Sequence, residues 1–245
     1  MMEALPAFVR ARLDPGERYG LRVTLFAIAL VLVAVPFGLL LEQVTSDGPM
    51  TEYDTALVED LHRVFRQSDI LVDFFTGVSF LGSPVWFYLV VGASTLFFWR
   101  RNDRRIAIFL VVTNLTGGAI DTAVKVLVDR PRPELDDPVA HAIGKSFPSG
   151  HTMASTVGYG SLLLAFMPLI PRRWRVPAVL LYAVLVAAIA FSRLGLGVHY
   201  MSDVLGGCVL GLAWLATATA AFSIWRRERR RPPVHVLEGV EPEAG

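Results

Sequence analysis

The chain has 245 residues, 53% of them hydrophobic and only 18% charged, and its mean hydropathy is +0.50. A soluble domain carries roughly 25% charged residues, so the composition argues against solubility and excludes a disordered, collagen-like or disulfide-stapled chain. The net charge of +1 supplies no bulk field for nucleic acid, and no nucleic-acid partner is expected. The lone Cys208 falls inside an apolar run and reads as an inert small hydrophobe.

In chain order, the first apolar run is 21–41, interrupted only by Arg22 and Thr24 near its start. It is too long for a signal-peptide core and reads as a membrane span, with Pro36 able to kink it. Leu57, Val58, Leu61, Val64 and Phe65 then fall at helical spacing opposite Glu59, Asp60, Arg63 and Arg66, and Ile70, Leu71, Phe74, Phe75 and Val78 repeat the pattern. These predict amphipathic helices, either lying at the membrane surface or packed on a neighbouring element. Further spans are expected at about 80–99, with a kink at Gly82-Ser83-Pro84, and at 106–128, 151–170, 176–196 and 200–225. The expected fold is therefore all-α: a six-transmembrane-helix bundle over 21–225, with amphipathic interfacial helices between the first and second spans. A short segment, 1–20, precedes it and a solvated tail, 226–245, follows.

The charges orient this bundle. Arg10, Arg12, Arg18 and Arg22, then Arg100, Arg101, Arg104 and Arg105, then Arg172, Arg173 and Arg175, and finally Arg226, Arg227, Arg229, Arg230 and Arg231 all fall on one side. They make up 16 of the 23 basic residues. The positive-inside rule then places both termini in the cytoplasm of a multi-pass plasma-membrane protein. The Arg run after residue 225 reads as a stop-transfer flank rather than a nucleic-acid patch.

The other side holds Arg63, Arg66, Lys125, Arg130, Arg132, Lys145 and Arg193, and most of these cluster at the ends of two span pairs. Lys125 lies at the lip of a span, where a charge is costly without a partner or a task. Asn114, Gly118, Asp121, Thr122 and Lys125 form one polar stripe on the third span, and Asp121–Lys125 can be a structural i, i+4 pair. Phe147-Pro148-Ser149-Gly150-His151 opens the fourth span. Ser149 can be a simple N-cap, or the turn can offer its free N–H groups to an anion. Ser192-Arg193 is followed by His199 and Asp203 at i, i+4, a spacing that lets the carboxylate fix the tautomer of the imidazole and leaves its other nitrogen free. Three cations, a helix start and two histidines suit a tetrahedral oxyanion: one histidine attacks phosphorus and the other protonates the leaving oxygen. The acidic residues Glu134, Asp136 and Asp137 lie in a proline-rich loop and read as solvated. With no carboxylate or cysteine set at metal-ligand spacing, neither metal nor cofactor is expected.

These residues resemble a known pattern. Lys125, six residues, Arg132-Pro133; Pro148-Ser149-Gly150-His151; and Ser192-Arg193, five residues, His199, three residues, Asp203 are similar to the three-part motif of the type 2 phosphatidic acid phosphatase superfamily. The resemblance covers 125–203 closely and the six-helix layout loosely. It implies that Lys125, Arg132 and Arg193 bind phosphate oxygens, with Ser149 and the Gly150 amide completing the cradle. It also implies that His199 is the nucleophile, passing through a phosphohistidine, that Asp203 orients it, and that His151 is the general acid.

The expected function is thus a metal-independent lipid phosphatase at the outer membrane face, drawing a lipid phosphate from the bilayer. Undecaprenyl diphosphate is slightly favoured as substrate, because Arg130 and Lys145 offer charge for a second phosphate. Phosphatidylglycerol phosphate and phosphatidate are the alternatives. Remoter readings are a vanadium-dependent haloperoxidase, against which the membrane composition speaks, and a lipid transporter that has lost the chemistry, against which the complete motif speaks. The sequence leaves the oligomeric state open.

Overall fold

A computed structural model describes residues 35–46 and 48–228, with side chains as far as Phe222. The expected first span therefore lies outside the described residues as far as position 34, and its last part is helical over 35–45. Seven α-helices follow: α1 (Pro49–Phe65), α2 (Asp69–Phe80), α3 (Pro84–Arg100), α4 (Arg104–Val128), α5 (Gly150–Phe166), α6 (Arg172–Gly195) and α7 (Met201–Glu228). The described residues contain no strand.

Among the described residues, five helical runs are long and apolar enough to cross a membrane: Asp69–Arg100, Arg104–Val128, Gly150–Leu169, Arg172–Gly195 and Met201–Phe222. The chain is a multi-pass, all-helical membrane protein. The earliest of these runs starts well before residue 80, because α2 continues almost directly into α3. The break falls at the expected place: Ser83 accepts a hydrogen bond from the Trp86 amide and Pro84 occupies the first helical turn. α7 carries the helix to Glu228, beyond the expected end at 225, and the rest of the tail lies outside the described residues.

α5 is the central helix, touching α3, α4, α6 and α7. In its apolar window 67% of residues are buried, against 22–39% in the other four runs. Small residues make this possible: in the membrane close backbone approach replaces the hydrophobic effect as the packing device. A methyl group at Gly207 of α7 would sit 2.7 Å from the Ser149 carbonyl oxygen and 3.2 Å from the Met153 amide nitrogen, so the two helices meet nearly backbone to backbone.

The bundle has two contrasting regions. Phe87, Phe98, Ile106, Phe109, Leu110, Leu164 and Phe222 form an apolar cluster. Where the end of α4 and α6 meets the start of α5 and α7, a set of polar residues is buried among apolar ones such as Phe147, Leu194 and Val204: Ser146, Ser149, Thr152, Ser192, Arg193, His199, Ser202 and Asp203.

α1 is amphipathic, as its periodicity predicts, but its buried stripe is Asp54, Val58, His62 and Phe65. Val64, expected on the apolar face, is exposed. The helix packs on α6 and α7, with the Phe65 ring stacked between Phe75 and Phe191 at 5.2 and 6.3 Å. It is turned by a fraction of a step from the expected face, and that rotation carries an acid into the bundle.

Candidate active site

His199 lies in the short link between α6 and α7 and is almost fully buried. Its Nδ1 is 3.3 Å from Asp203 Oδ2, one turn into α7, and 3.4 Å from the Ser146 hydroxyl. Its Nε2 is 3.1 Å from Nη1 of Arg132. A guanidinium can only donate, so Nε2 is the accepting, unprotonated nitrogen and Nδ1 carries the hydrogen toward Asp203. This is the tautomer a nucleophilic Nε2 needs. Burial pushes the imidazole down to about 4; Asp203 pulls the other way and Arg132 and Arg193 reinforce the fall. The ring is therefore neutral at ordinary pH.

Asp203 is completely buried and held from several sides. Oδ2 also accepts from the Tyr200 amide at 2.9 Å and from the Ser146 hydroxyl, while Oδ1 accepts from Arg130 Nη1 at 2.6 Å. Arg130 extends the chain: Nη2 donates to Asp54 Oδ2 at 2.9 Å, and the guanidinium lies 4.2 Å over the Tyr200 ring. Asp54 in turn accepts from the Ser202 amide at 3.0 Å and from the Ser202 hydroxyl. The charge of Arg130 is thereby held: burial opposes it, but Asp203 and Asp54 together outweigh the burial and raise its pKa.

This corrects the expectation that Arg130 and Lys145 offer charge to a second phosphate. Arg130 faces inward between two buried carboxylates, because two acids without a cation between them would be far more costly. Lys145 is paired with Asp129 at 2.5 Å at the surface.

The remaining expected residues converge on the same space. Arg193, buried at the end of α6, donates from Nη1 to Ser79 at 2.5 Å, and its Nε is a buried donor without a partner among the described residues. Such an orphan is costly unless something accepts from it, which suits an incoming phosphate oxygen. Lys125 donates to both Asp121 oxygens, at 2.8 and 3.0 Å, and to the Pro148 carbonyl at 2.5 Å. The i, i+4 pair is real, and it presents the ammonium to the start of α5. The charges of Arg193, Arg132 and Lys125 all act on the His151 ring in the first turn of α5, as does His199. Arg132 is steered by the loop, donating to Gly144 O at 3.0 Å, Ile143 O at 3.2 Å and Val198 O at 2.7 Å.

Ser149 stands at the N-cap of α5 without capping it through its side chain; its hydroxyl accepts from Thr152 at 3.0 Å instead. The first N–H groups of α5 are thus left without a side-chain acceptor, as an anion site requires. Gly150 is needed for space, since a methyl group there would sit 3.1 Å from Asp121 Oδ2 and 3.3 Å from Lys125 Nζ. The rest of the expected polar stripe does not join the site. Asn114 bonds Ser161 and the Leu110 carbonyl, and Thr122 turns back to Gly118. Ser192 likewise closes on its own helix, at Ile189.

The site also contains residues that sequence reasoning passed over: Ser79, Ser146, Ser202 and Asp54. Ser146, three residues before Ser149, and Ser202, next to Asp203, lay near enough to the motif to be suspected; Ser79 and Asp54 did not.

A buried, oriented histidine beside two arginines, a lysine and a helix start has the make-up that phosphoryl chemistry requires. Comparison with known proteins agrees: the PAP2 superfamily pattern matches residues 106–228, and the chain belongs to that superfamily. It is 30% identical over 143 residues to phosphatidylglycerophosphatase B of Bacillus subtilis (strain 168), covering 56% of this chain and 68% of that protein. The fold matches the crystal structure of a transmembrane PAP2-type phosphatidylglycerolphosphate phosphatase from Bacillus subtilis with a TM-score of 0.71. That match is at 22% identity and covers 82% of this chain and 97% of the other. The chain is a membrane lipid phosphatase.

Proposed function

We propose that this protein hydrolyses a lipid phosphate monoester by a two-step histidine mechanism without a metal ion. The observation that carries the reading is the tautomer of His199, with Nδ1–H turned to a buried carboxylate and the Nε2 lone pair turned to the cation cluster. An arriving phosphate takes over the donors of Arg132, the orphan Nε of Arg193, the Lys125 ammonium and the first amides of α5. Arg132 then releases Nε2, which attacks phosphorus. The P–O bond to the lipid alcohol breaks as His151, charged by the proton that the phosphate monoanion brings in, donates that proton to the leaving oxygen, leaving phosphohistidine. His151, now neutral, takes a proton from water, which attacks the phosphohistidine, and inorganic phosphate leaves.

A glycerolipid monophosphate such as phosphatidylglycerol phosphate suits this site better than undecaprenyl diphosphate. Arg130, one of the two cations expected to take a second phosphate, is held between buried carboxylates, and the relative at 30% identity is a phosphatidylglycerophosphatase. The excess of arginine on the opposite side of the bundle supports an outward-facing site with both termini in the cytoplasm. The test is kcat/KM for phosphatidylglycerol phosphate, undecaprenyl diphosphate and a short-chain soluble phosphate in detergent, with and without chelator. The monoester lipid should be fastest and indifferent to chelator. A soluble phosphate hydrolysed equally well would sink lipid specificity, and a chelator-sensitive reaction restored by a divalent ion would sink the mechanism.

A further inference from the structure

Arg130 and Asp54 belong to neither the cation cradle nor the nucleophile pair, yet they form the most buried ion-pair system among the described residues. Asp54 and Asp203 are fully inaccessible and Arg130 nearly so. The guanidinium bridges α1 to α7, with one nitrogen on each carboxylate at 2.9 and 2.6 Å. Asp54 also accepts from the amide and hydroxyl of Ser202, the residue next to Asp203. A carboxylate that must hold His199 through Oδ2 can rotate about its own bond unless Oδ1 is fixed. Arg130 fixes it, and Asp54 fixes Arg130.

We propose that Asp54 and Arg130 are positioning residues for the reaction, forming an Asp54–Arg130–Asp203–His199 relay that lets α1, an element outside the matched motif, set the orientation of the nucleophile. The inference rests on His199 being that nucleophile. A planar, two-pronged donor is needed for the bridge, and lysine cannot replace it without losing one contact.

The relay has a signed consequence that mere structural support lacks. The groups acting on His199 are Asp203, Arg132 and Arg193, with His151 across the site. Asp54→Asn leaves Arg130 as an uncompensated positive charge behind Asp203, which lowers the proton affinity of His199. Arg130→Gln removes a positive charge and leaves two facing acids, which raises it. Simple loosening of the site would admit water and move both variants upward, toward the ordinary histidine value.

The experiment measures kcat, KM and the acid limb of kcat/KM against a lipid monophosphate, together with an NMR titration of the His199 ring in detergent. Asp54→Asn, Arg130→Gln and Arg130→Lys are compared with wild type and with Asp60→Asn, an exposed control on α1. We expect kcat to fall about tenfold or more in all three relay variants with KM little changed, as when orienting partners behind a reactive group are removed. His199 should titrate lower in Asp54→Asn, higher in Arg130→Gln, and as in wild type in Arg130→Lys, which keeps the charge and loses the bridge. Should Asp54→Asn fail to fold, the Arg130→Lys result decides. Wild-type kcat in Arg130→Lys, or an upward shift in Asp54→Asn, overturns the relay. Full activity in His199→Ala would overturn the underlying reading instead, and the NMR titration still reports on the network in that case.

Discussion

At His199 a neighbour that can only donate decides which nitrogen is free. Arg132 donates to the Nε2 lone pair, so under the proposed mechanism an arriving anion must draw the guanidinium away before that nitrogen attacks. The buried imidazole resists protonation down to about 4, well below its ordinary 6.5. Because the folded value is the lower one, the unfolded chain binds the proton more readily. The stability this group contributes is therefore present above about 6.5 and is lost as pH falls toward 4. Activity should follow the folded value: the acid limb of kcat/KM, which reports the free enzyme, is expected near 4. A limb at the ordinary histidine value would mean that the group whose free lone pair the reaction needs is solvated and is not His199. The residues on this level were readable from the chain because their spacing carries chemistry: His199 and Asp203 at i, i+4, and Lys125 one turn from Asp121. Asp54 was not readable. It sits 149 positions before Asp203 in a helix whose polar and apolar residues alternate acceptably without it, and only the rotation of α1 shows that it points inward.

The central element is α5, whose first turn presents Gly150 and His151 and whose backbone rests on α7. Its position depends on what α7 leaves out. Gly207→Ala places a carbon 2.7 Å from the Ser149 carbonyl, a fixed backbone atom. Gly211→Ala meets Thr156 Cβ and Cγ2 at 2.9 and 3.0 Å, a side chain farther along the helix. Gly207→Ala should therefore displace the start of α5 and cost at least about tenfold in kcat/KM, since misplacing catalytic groups by a fraction of an ångström has such effects. Gly211→Ala should lower the melting temperature while sparing more of the activity. Equal activity in the two variants would show that the start of α5 tolerates displacement. Helix identity and the α3 kink were legible from apolar runs and Ser-Pro signals. The continuity of α2 with α3 was not, because a run with two aspartates in its first turns reads as interfacial by composition, and only the three-residue link between the two helices joins them into one long apolar run.

On the scale of the whole molecule, the larger apolar cluster is built on α3, α4 and α5, and many of the buried polar residues gather where four helix ends meet. Charge near the lip of a membrane is expensive, and at the site Lys125 is paired with Asp121, Arg130 with Asp54 and Asp203, while the Nε of Arg193 is a buried donor that an anion would satisfy. Orientation can be read directly: cysteines at Glu134 and Arg173 should differ in intact cells, with only the first labelled by an impermeant reagent, and equal labelling would reverse the topology. The central claim is that phosphorus passes through His199, and the most direct measurement is an acid-free quench of the enzyme turning over a lipid labelled at its terminal phosphate. We expect label on the wild-type chain that survives alkali, is lost in acid and maps to His199, with none on His199→Ala. Turnover without such label, or the same label on His199→Ala, would contradict it.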